Sequence, residues 1–203
     1  MPACLLHVQV AGTRPTVDRV VTKDRLRKAA LADRDALTGD VRIEKALAAA
    51  DLAADLSFLD LDPGTVVAGF LPIRSEIDAR PVMEMLRQRG CRLCLPAVVD
   101  DALEFRELTR TTELIDAGFG TVAPGPDAPV LTPQVLIVPC AAFDRRGHRL
   151  GYGAGFYDRA LTVLEAPVAV ALAFAEQEVD AVPAEPHDVA VTAVLTDREV
   201  IVP

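Results

Sequence analysis

The sequence predicts an α/β layered fold with a mainly parallel sheet, built as a single domain. Short continuous apolar runs, such as Thr65-Val-Val-Ala-Gly-Phe70 and Val135-Leu-Ile-Val-Pro139, read as strands buried on both faces. Amphipathic helical stretches alternate with them, the order that lays helices on the faces of a parallel sheet. The chain has 203 residues, 51% of them apolar, enough for one proper core, and no internal repeat or long linker divides it. Aromatics are only 4%, so that core is expected to consist of Ala, Val and Leu.

Val17 to about Leu37 reads as a first helix, with a break at Thr38-Gly39-Asp40. A second, Ala-rich helix follows from Val41 to Phe58. Pro63-Gly64 turns the chain into a strand over 65–70. Ser75-Glu-Ile-Asp78 fits a capping box that opens a helix. Ile77, Pro81, Val82, Met85 and Leu86 would form its apolar face, and Gly90 would stop it. A buried strand over 91–96 and a shorter one over Leu103–Leu108 come next. The Pro- and Gly-rich stretch from Ala123 to Pro133 is expected to be loop. After the strand at 135–139 come a Gly-rich loop and a helix from Gly155 to Leu164. Strands at Val168–Phe174 and Val189–Leu195 follow, with Glu199–Val202 as an edge strand.

The formal charge of −9 argues against a sequence-independent nucleic-acid binder, which needs surplus Lys and Arg to displace counterions. No apolar run approaches the roughly 20 residues that span a bilayer. Residues 1–20 lack a cationic leader with a long apolar stretch and read as a loose extension, or as a start assigned upstream of the true one, ahead of a domain over 21–203. Cys91 and Cys94 form a C-x-x-C, but the segment Cys91-Arg-Leu-Cys-Leu-Pro96 reads as strand, on which residues three apart face opposite sides. The thiols are therefore expected to be plain core cysteines, in keeping with a reducing, cytoplasmic setting.

The segment Ala142 to Arg159 carries the chemistry. It leaves a buried strand and enters a helix, the place where open α/β sheets bind ligands. Gly151, Gly153 and Gly155 let backbone approach a ligand and offer N–H groups near a helix N-terminus, while Arg145, Arg146 and Arg149 add positive charge. No Gly-Lys-Ser/Thr follows, so this is not a Walker A loop, and by itself it is equally a phosphate cradle or a tight structural turn. On the first helix Lys23, Arg27 and Arg34 fall within about 40° of one another, at 100° per residue. That stripe is either a solvated face or one wall of a triphosphate site. Asp144, Asp158 and Asp188 are candidate ligands for a hard cation, against the plainer reading of caps or surface charges. His7, His148 and His187 share no catalytic spacing.

Taken together these residues resemble the 5-formyltetrahydrofolate cyclo-ligase family. Ala142-Phe-Asp144 and Arg149-Leu-Gly-Tyr-Gly-Ala-Gly-Phe-Tyr-Asp-Arg159 look like its signature. Lys23-Asp-Arg-Leu-Arg27, Phe70-Leu-Pro-Ile-Arg-Ser-Glu-Ile-Asp78, Leu95-Pro96, Ala173-Phe-Ala-Glu-Gln177 and Pro186-His-Asp188 continue the likeness in the same order. The resemblance implies a three-layer α/β/α sandwich and ATP- and Mg²⁺-dependent closure of 5-formyltetrahydrofolate to 5,10-methenyltetrahydrofolate, with release of ADP and phosphate. It implies that Lys23, Asp24, Arg25, Leu26 and Arg27 hold ATP together with Arg149, Leu150, Gly151, Tyr152, Gly153, Ala154, Gly155, Phe156 and Tyr157. Leu71 and Glu76, with Tyr152 to Phe156, would line the folate site. Asp158 and Asp188 would hold Mg²⁺, and Arg149 would stabilise the transferring phosphoryl group. The partners would be ATP and a reduced folate, bound by a monomer, with neither nucleic acid nor membrane involved.

Three positions depart from the family pattern. Ala154 and Cys140 stand where Gly is common, and Thr192 stands where many members carry Asp. A positive φ at Ala154 would cost on the order of 1 kcal/mol. Two rivals are a non-catalytic folate- or nucleotide-binding protein on the same fold, which predicts damaged phosphate and metal positions, and a phosphosugar isomerase or CoA-transferase-like enzyme, which needs a catalytic Glu or Lys and no ATP.

Overall fold

The computed structural model describes residues 22–54, 59, 61–118, 120–164, 167–185 and 187–203. The expected extension over 1–20, the helix start at Val17 and the second helix's end at Phe58 lie outside these residues. Helices α1 (Lys23–Asp35) and α2 (Gly39–Ala53) meet at the break foreseen at Thr38. Strands β1 (Val66–Ala68), β2 (Arg92–Val99), β3 (Ala102–Glu107), β6 (Val135–Pro139), β9 (Val168–Leu172), β10 (Ala193–Leu195) and β11 (Val200–Ile201) make one sheet in the order β11-β10-β9-β6-β1-β2-β3. The inner pairs from β10 to β2 are parallel, and the edge strands β3 and β11 are antiparallel.

Alternation along the strands sorts the core into two layers. Val135 and Ile137 of β6 pack on one side with Ala46, Ala49 and Ala53 of α2 and with Val82, Met83 and Leu86 of α3 (Arg80–Gln88). Leu136 and Val138 pack on the other with Ala160 and Leu161 of α4 (Phe156–Val163). The result is the three-layer α/β/α sandwich. Cys91 and Cys94 fall in opposite layers, both free and buried, so the C-x-x-C is no metal or redox pair. Burial pushes the Cys94 thiol up to about 12.

Several elements differ from expectation. The capping box at Ser75 opens no helix: α3 starts at Arg80, because Ser75 and Glu76 spend their side chains elsewhere. The N-cap is Ala79, with no side-chain cap; Asp78, one residue ahead of it, turns the chain into the helix by accepting from the Arg80 N–H at 2.9 Å. β2 runs on to Val99 because a hairpin joins it to β3 through Asp100 and Asp101, whose φ values of 48° and 61° suit the tight turn that matches strand twist. Strands β4 (Leu114–Gly118) and β5 (Thr121–Pro124) form a hairpin, so the expected loop begins only after Pro124. The hairpin gives little apolar signal in the sequence because β4 is largely exposed, with no buried residue. β10 starts at Ala193 rather than Val189.

The parallel strands all direct their C-terminal ends to one rim of the sheet. There the loop after β1, the hairpin β7 (Ala142–Phe143) with β8 (Arg149–Leu150) after β6, and the short 3₁₀ turn Ala175–Gln177 after β9 converge. Gln177, 1% exposed, ties two of these crossovers together. It donates to the Cys140 and Ala141 carbonyls at 2.7 and 3.0 Å and accepts from the Phe174 N–H at 2.9 Å.

Candidate active site

One face of α1 lies along this rim. Thr22 caps the helix by accepting from the Arg25 N–H. Lys23 donates to Asp188 at 2.7 Å and Glu185 at 2.9 Å. Arg27 donates through Nε to the Gly151 carbonyl at 2.8 Å and pairs with Asp24. Arg34 donates to the Tyr152 hydroxyl at 2.8 Å. The basic stripe is therefore a docked face, not a solvated one. Burial works against the Lys23 charge, but its bonds to Asp188 and Glu185 outweigh that and hold its pKa above the ordinary lysine value.

The Gly-rich loop carries two left-handed residues, Gly153 at φ 106° and Gly155 at φ 68°. Gly155 is the N-cap of α4, and no side chain caps that end, so amide N–H groups remain for a ligand. Ala154 is absent from the positive-φ residues, so the strain considered for it does not arise. Arg159 braces the loop from below, donating to the Ala154 carbonyl at 2.9 Å and lying 4.9 Å from the Phe156 ring centre. A Cβ on Gly155 would come within 3.1 Å of that guanidinium.

Beside the loop sit two carboxylates. Asp158 accepts through Oδ1 from Arg149 at 3.0 Å and from the Val189 N–H at 3.2 Å. Asp188 accepts through Oδ2 from Lys23 and from the Glu185 N–H. Each keeps its second oxygen free of protein hydrogen bonds among the described residues. Burial opposes the Asp188 charge, but Lys23 and the Glu185 N–H hold its carboxyl below the usual range. Arg149, its side chain 5% exposed, also donates to the Val189 carbonyl, so β8, α4 and the segment around Val189 are locked together. Glu185, His187 and Asp188 form a further group whose ligand atoms lie within 4.8 Å of one another, with Lys23 placed on it.

Three sequence candidates are not free for a ligand. Asp144 is fully buried and accepts from the N–H groups of Arg146 (2.9 Å), His148 (3.2 Å) and Val182 (2.9 Å). Burial alone would raise its carboxyl, yet these donors and the Arg146 guanidinium bring it below the ordinary value, so Asp144 is a structural anchor. Arg146 serves that anchor, and Arg145 is spent on Glu178 and Glu199. Of the three arginines, only Arg149 is turned to Asp158 and the Val189 segment. Thr192 likewise serves the fold, accepting from the Ala169 N–H at 3.2 Å. His7 lies outside the described residues.

The loop after β1 brings Leu71 and Glu76 to the other flank. Glu76 is 8% exposed; its Oε2 accepts from the Ile73 N–H at 2.9 Å, and its Oε1 is buried without a partner. Burial raises its pKa despite the Ile73 N–H and the nearby Arg34. A cleft of about 280 Å³ opens beside it, lined by Arg42, Ile43, Leu47, Asp78 and Pro81. Tyr152 links the flanks. Its ring centre lies 5.8 Å from the Arg34 guanidinium carbon and 5.6 Å from that of Arg74. Burial and the Glu76 charge raise its phenol pKa. Arg74 and Ser75 were not legible as site residues, since neither type nor spacing marks them; Arg74 holds a left-handed φ of 54° that only the fold reveals.

The sequence model of the 5-formyltetrahydrofolate cyclo-ligase family matches residues 19–197. A 5-formyltetrahydrofolate cyclo-ligase of Mycolicibacterium smegmatis is 38% identical over 89% of this chain and 96% of its own length. That of Escherichia coli K12 is 34% identical over 66% of this chain and 79% of its own. Among solved structures, the 5,10-methenyltetrahydrofolate synthetase of Aquifex aeolicus superposes with a TM-score of 0.72 at 26% identity, covering 89% of this chain and 92% of its own.

Proposed function

The chain belongs to the 5-formyltetrahydrofolate cyclo-ligase family, and from that premise we propose that it converts 5-formyltetrahydrofolate to 5,10-methenyltetrahydrofolate at the expense of ATP. The observation that supports this most directly is the docking of Lys23 and Arg27 against the Gly-rich loop and the Asp188 segment, because it gathers cations, free amides and two carboxylates at one rim.

In this reading Lys23 to Arg27 and Arg149 to Tyr157 bind ATP, and Leu71, Glu76 and Tyr152 to Phe156 bind the folate. The N5-formyl group is an amide, and its oxygen leaves poorly as hydroxide. Transfer of the γ-phosphoryl group of ATP to that oxygen makes a phosphate leaving group and ADP. N10 then attacks the activated carbon, loses its proton, and phosphate departs. No protein nucleophile is needed. The chain's share is positioning and charge stabilisation. Arg149 holds a permanent positive charge, fixed by Asp158 and the Val189 carbonyl so that its direction is set before substrate arrives. The glycines admit phosphate to the amides of the α4 N-terminus.

Asp158 and Asp188 fit a resident Mg²⁺, because each offers an uncommitted carboxylate oxygen beside the loop, the donor chemistry this hard cation takes. When bound, Mg²⁺ supplies charge neutralisation to the phosphates. No described helix is long and apolar enough to cross a membrane, and we place the enzyme in the cytoplasm, working as a single chain.

Absorbance at the methenyl-folate band tests the reading, with purified protein, 5-formyltetrahydrofolate, ATP and Mg²⁺. The band should grow only when ATP and Mg²⁺ are both present, and Arg149→Ala should slow it by about 10²-fold or more. A flat trace from folded protein that still binds ATP would favour the non-catalytic alternative.

A further inference from the structure

Arg34 is 1% exposed, yet it sits in the last turn of a helix whose Lys23 and Arg27 reach the rim. A guanidinium is rarely buried unless its donors are used. Its Nε donates to the Ser75 hydroxyl at 3.0 Å, and its Nη2 donates to the Tyr152 hydroxyl at 2.8 Å. The Ser75 hydroxyl in turn donates to the carboxylate of Asp35, the next residue of α1. One side chain thus pins the loop after β1 and the Gly-rich loop to the same helix end.

The direction of these bonds has a consequence. A guanidinium only donates, so the Tyr152 oxygen accepts from Arg34, and its own proton stays available to the adjoining Glu76 carboxylate. Glu76 follows Ser75 directly, so the position of its carboxylate depends on the Ser75 bond as well. Both Arg34 Nη1 and Glu76 Oε1 are buried without a partner, so the cluster is held together by few bonds and has no spare ones.

We propose that Arg34 is a positioning residue that sets the folate-facing side chains Glu76 and Tyr152 in register with each other, by holding Ser75 and Tyr152 at fixed separation. This rests on the cyclo-ligase reading above. Arg34 touches neither substrate; it acts through Ser75 and Tyr152, so its loss weakens folate recognition more than nucleotide binding, where Tyr152 is one contributor among many and Lys23 and Arg27 make separate contacts.

The test is steady-state kinetics on Arg34→Lys, Tyr152→Phe and the double variant. Lysine keeps the charge, but its single nitrogen cannot span both hydroxyls. For Arg34→Lys the KM for 5-formyltetrahydrofolate should rise about tenfold or more while that for ATP moves less than about threefold. Tyr152→Phe should add at most about twofold on the Arg34→Lys background, though it costs about fivefold or more alone, because both substitutions break one link. A lowered Tm with an unchanged folate KM, an equal rise in both KM values, or multiplying effects would each overturn the proposal. Should Arg34→Lys fail to fold, Ser75→Ala and Tyr152→Phe with their double read the same coupling. Absence of turnover in the unmodified enzyme would remove the underlying reading and the proposal with it; normal turnover with an indifferent Arg34→Lys removes the proposal alone.

Discussion

Asp144→Asn tests whether the buried carboxylate of the signature segment is a structural anchor or a cation ligand. Asparagine keeps one oxygen, which can serve the Arg146 and His148 N–H groups. It turns an NH₂ group toward the Val182 N–H, which now donates to Oδ2 at 2.9 Å. Leaving that buried donor unpaired costs about 1–3 kcal/mol. Replacing the remaining charge-assisted bonds by neutral ones adds about 1 kcal/mol. The half-exposed Arg146 guanidinium adds little, as solvent-facing ion pairs do. The total of about 2–4 kcal/mol corresponds to a Tm lower by roughly 4–16 °C in a chain of this size. Thermal unfolding followed by circular dichroism at pH 7 reads it directly. The pH dependence carries a sign. The folded carboxyl lies below the ordinary aspartate value, so its contribution is complete above that value and is lost as pH falls through the folded pKa. The gap between the two proteins should therefore be full at pH 7 and close in acid. An unchanged Tm with a weakened Mg²⁺ dependence would refute the anchor and return Asp144 to the metal site.

Three further outcomes are expected. Gly153→Ala forces a side chain into φ 106°, at a cost of about 1–3 kcal/mol, and should raise the KM for ATP with the far-ultraviolet spectrum unchanged; wild-type kinetics would show that the loop tolerates a side chain. Glu76→Gln should raise the folate KM while leaving Tm equal or higher at neutral pH. Burial raises the Glu76 pKa, so ionisation costs stability as pH rises through it; a Tm well below wild type would contradict that sign. Cys91, Cys94 and Cys140 should resist a thiol reagent in the native protein and react after unfolding, as peptide mapping would show; burial raises all three, Cys94 and Cys140 to about 12. Rapid native labelling of any of them would refute the buried assignment.

The layered fold was legible because its causes are local and periodic: continuous apolar runs for strands, Pro63-Gly64 and Gly90 for stops, and β6 at Val135–Pro139 read to the residue. Opposite facing of Cys91 and Cys94 followed from strand geometry alone, and the two core layers bear it out. The segment from Arg149 to Asp158 could be singled out because glycine, arginine and aspartate in that order carry chemistry that few structural turns require. Tertiary structure decided the rest, wherever a polar side chain had several possible partners. Ser75 had the right neighbours for a helix cap, yet Arg34 and Asp35, some forty positions earlier, use its hydroxyl. Asp144 and Asp158 are the same residue type in one motif, but Asp144 faces inward to backbone N–H groups that saturate it, and Asp158 keeps an oxygen open at the rim. Sequence determines which groups are available and in what period they recur; which of them meet depends on distances between elements far apart in the chain, and only the packed sheet and its helices set those.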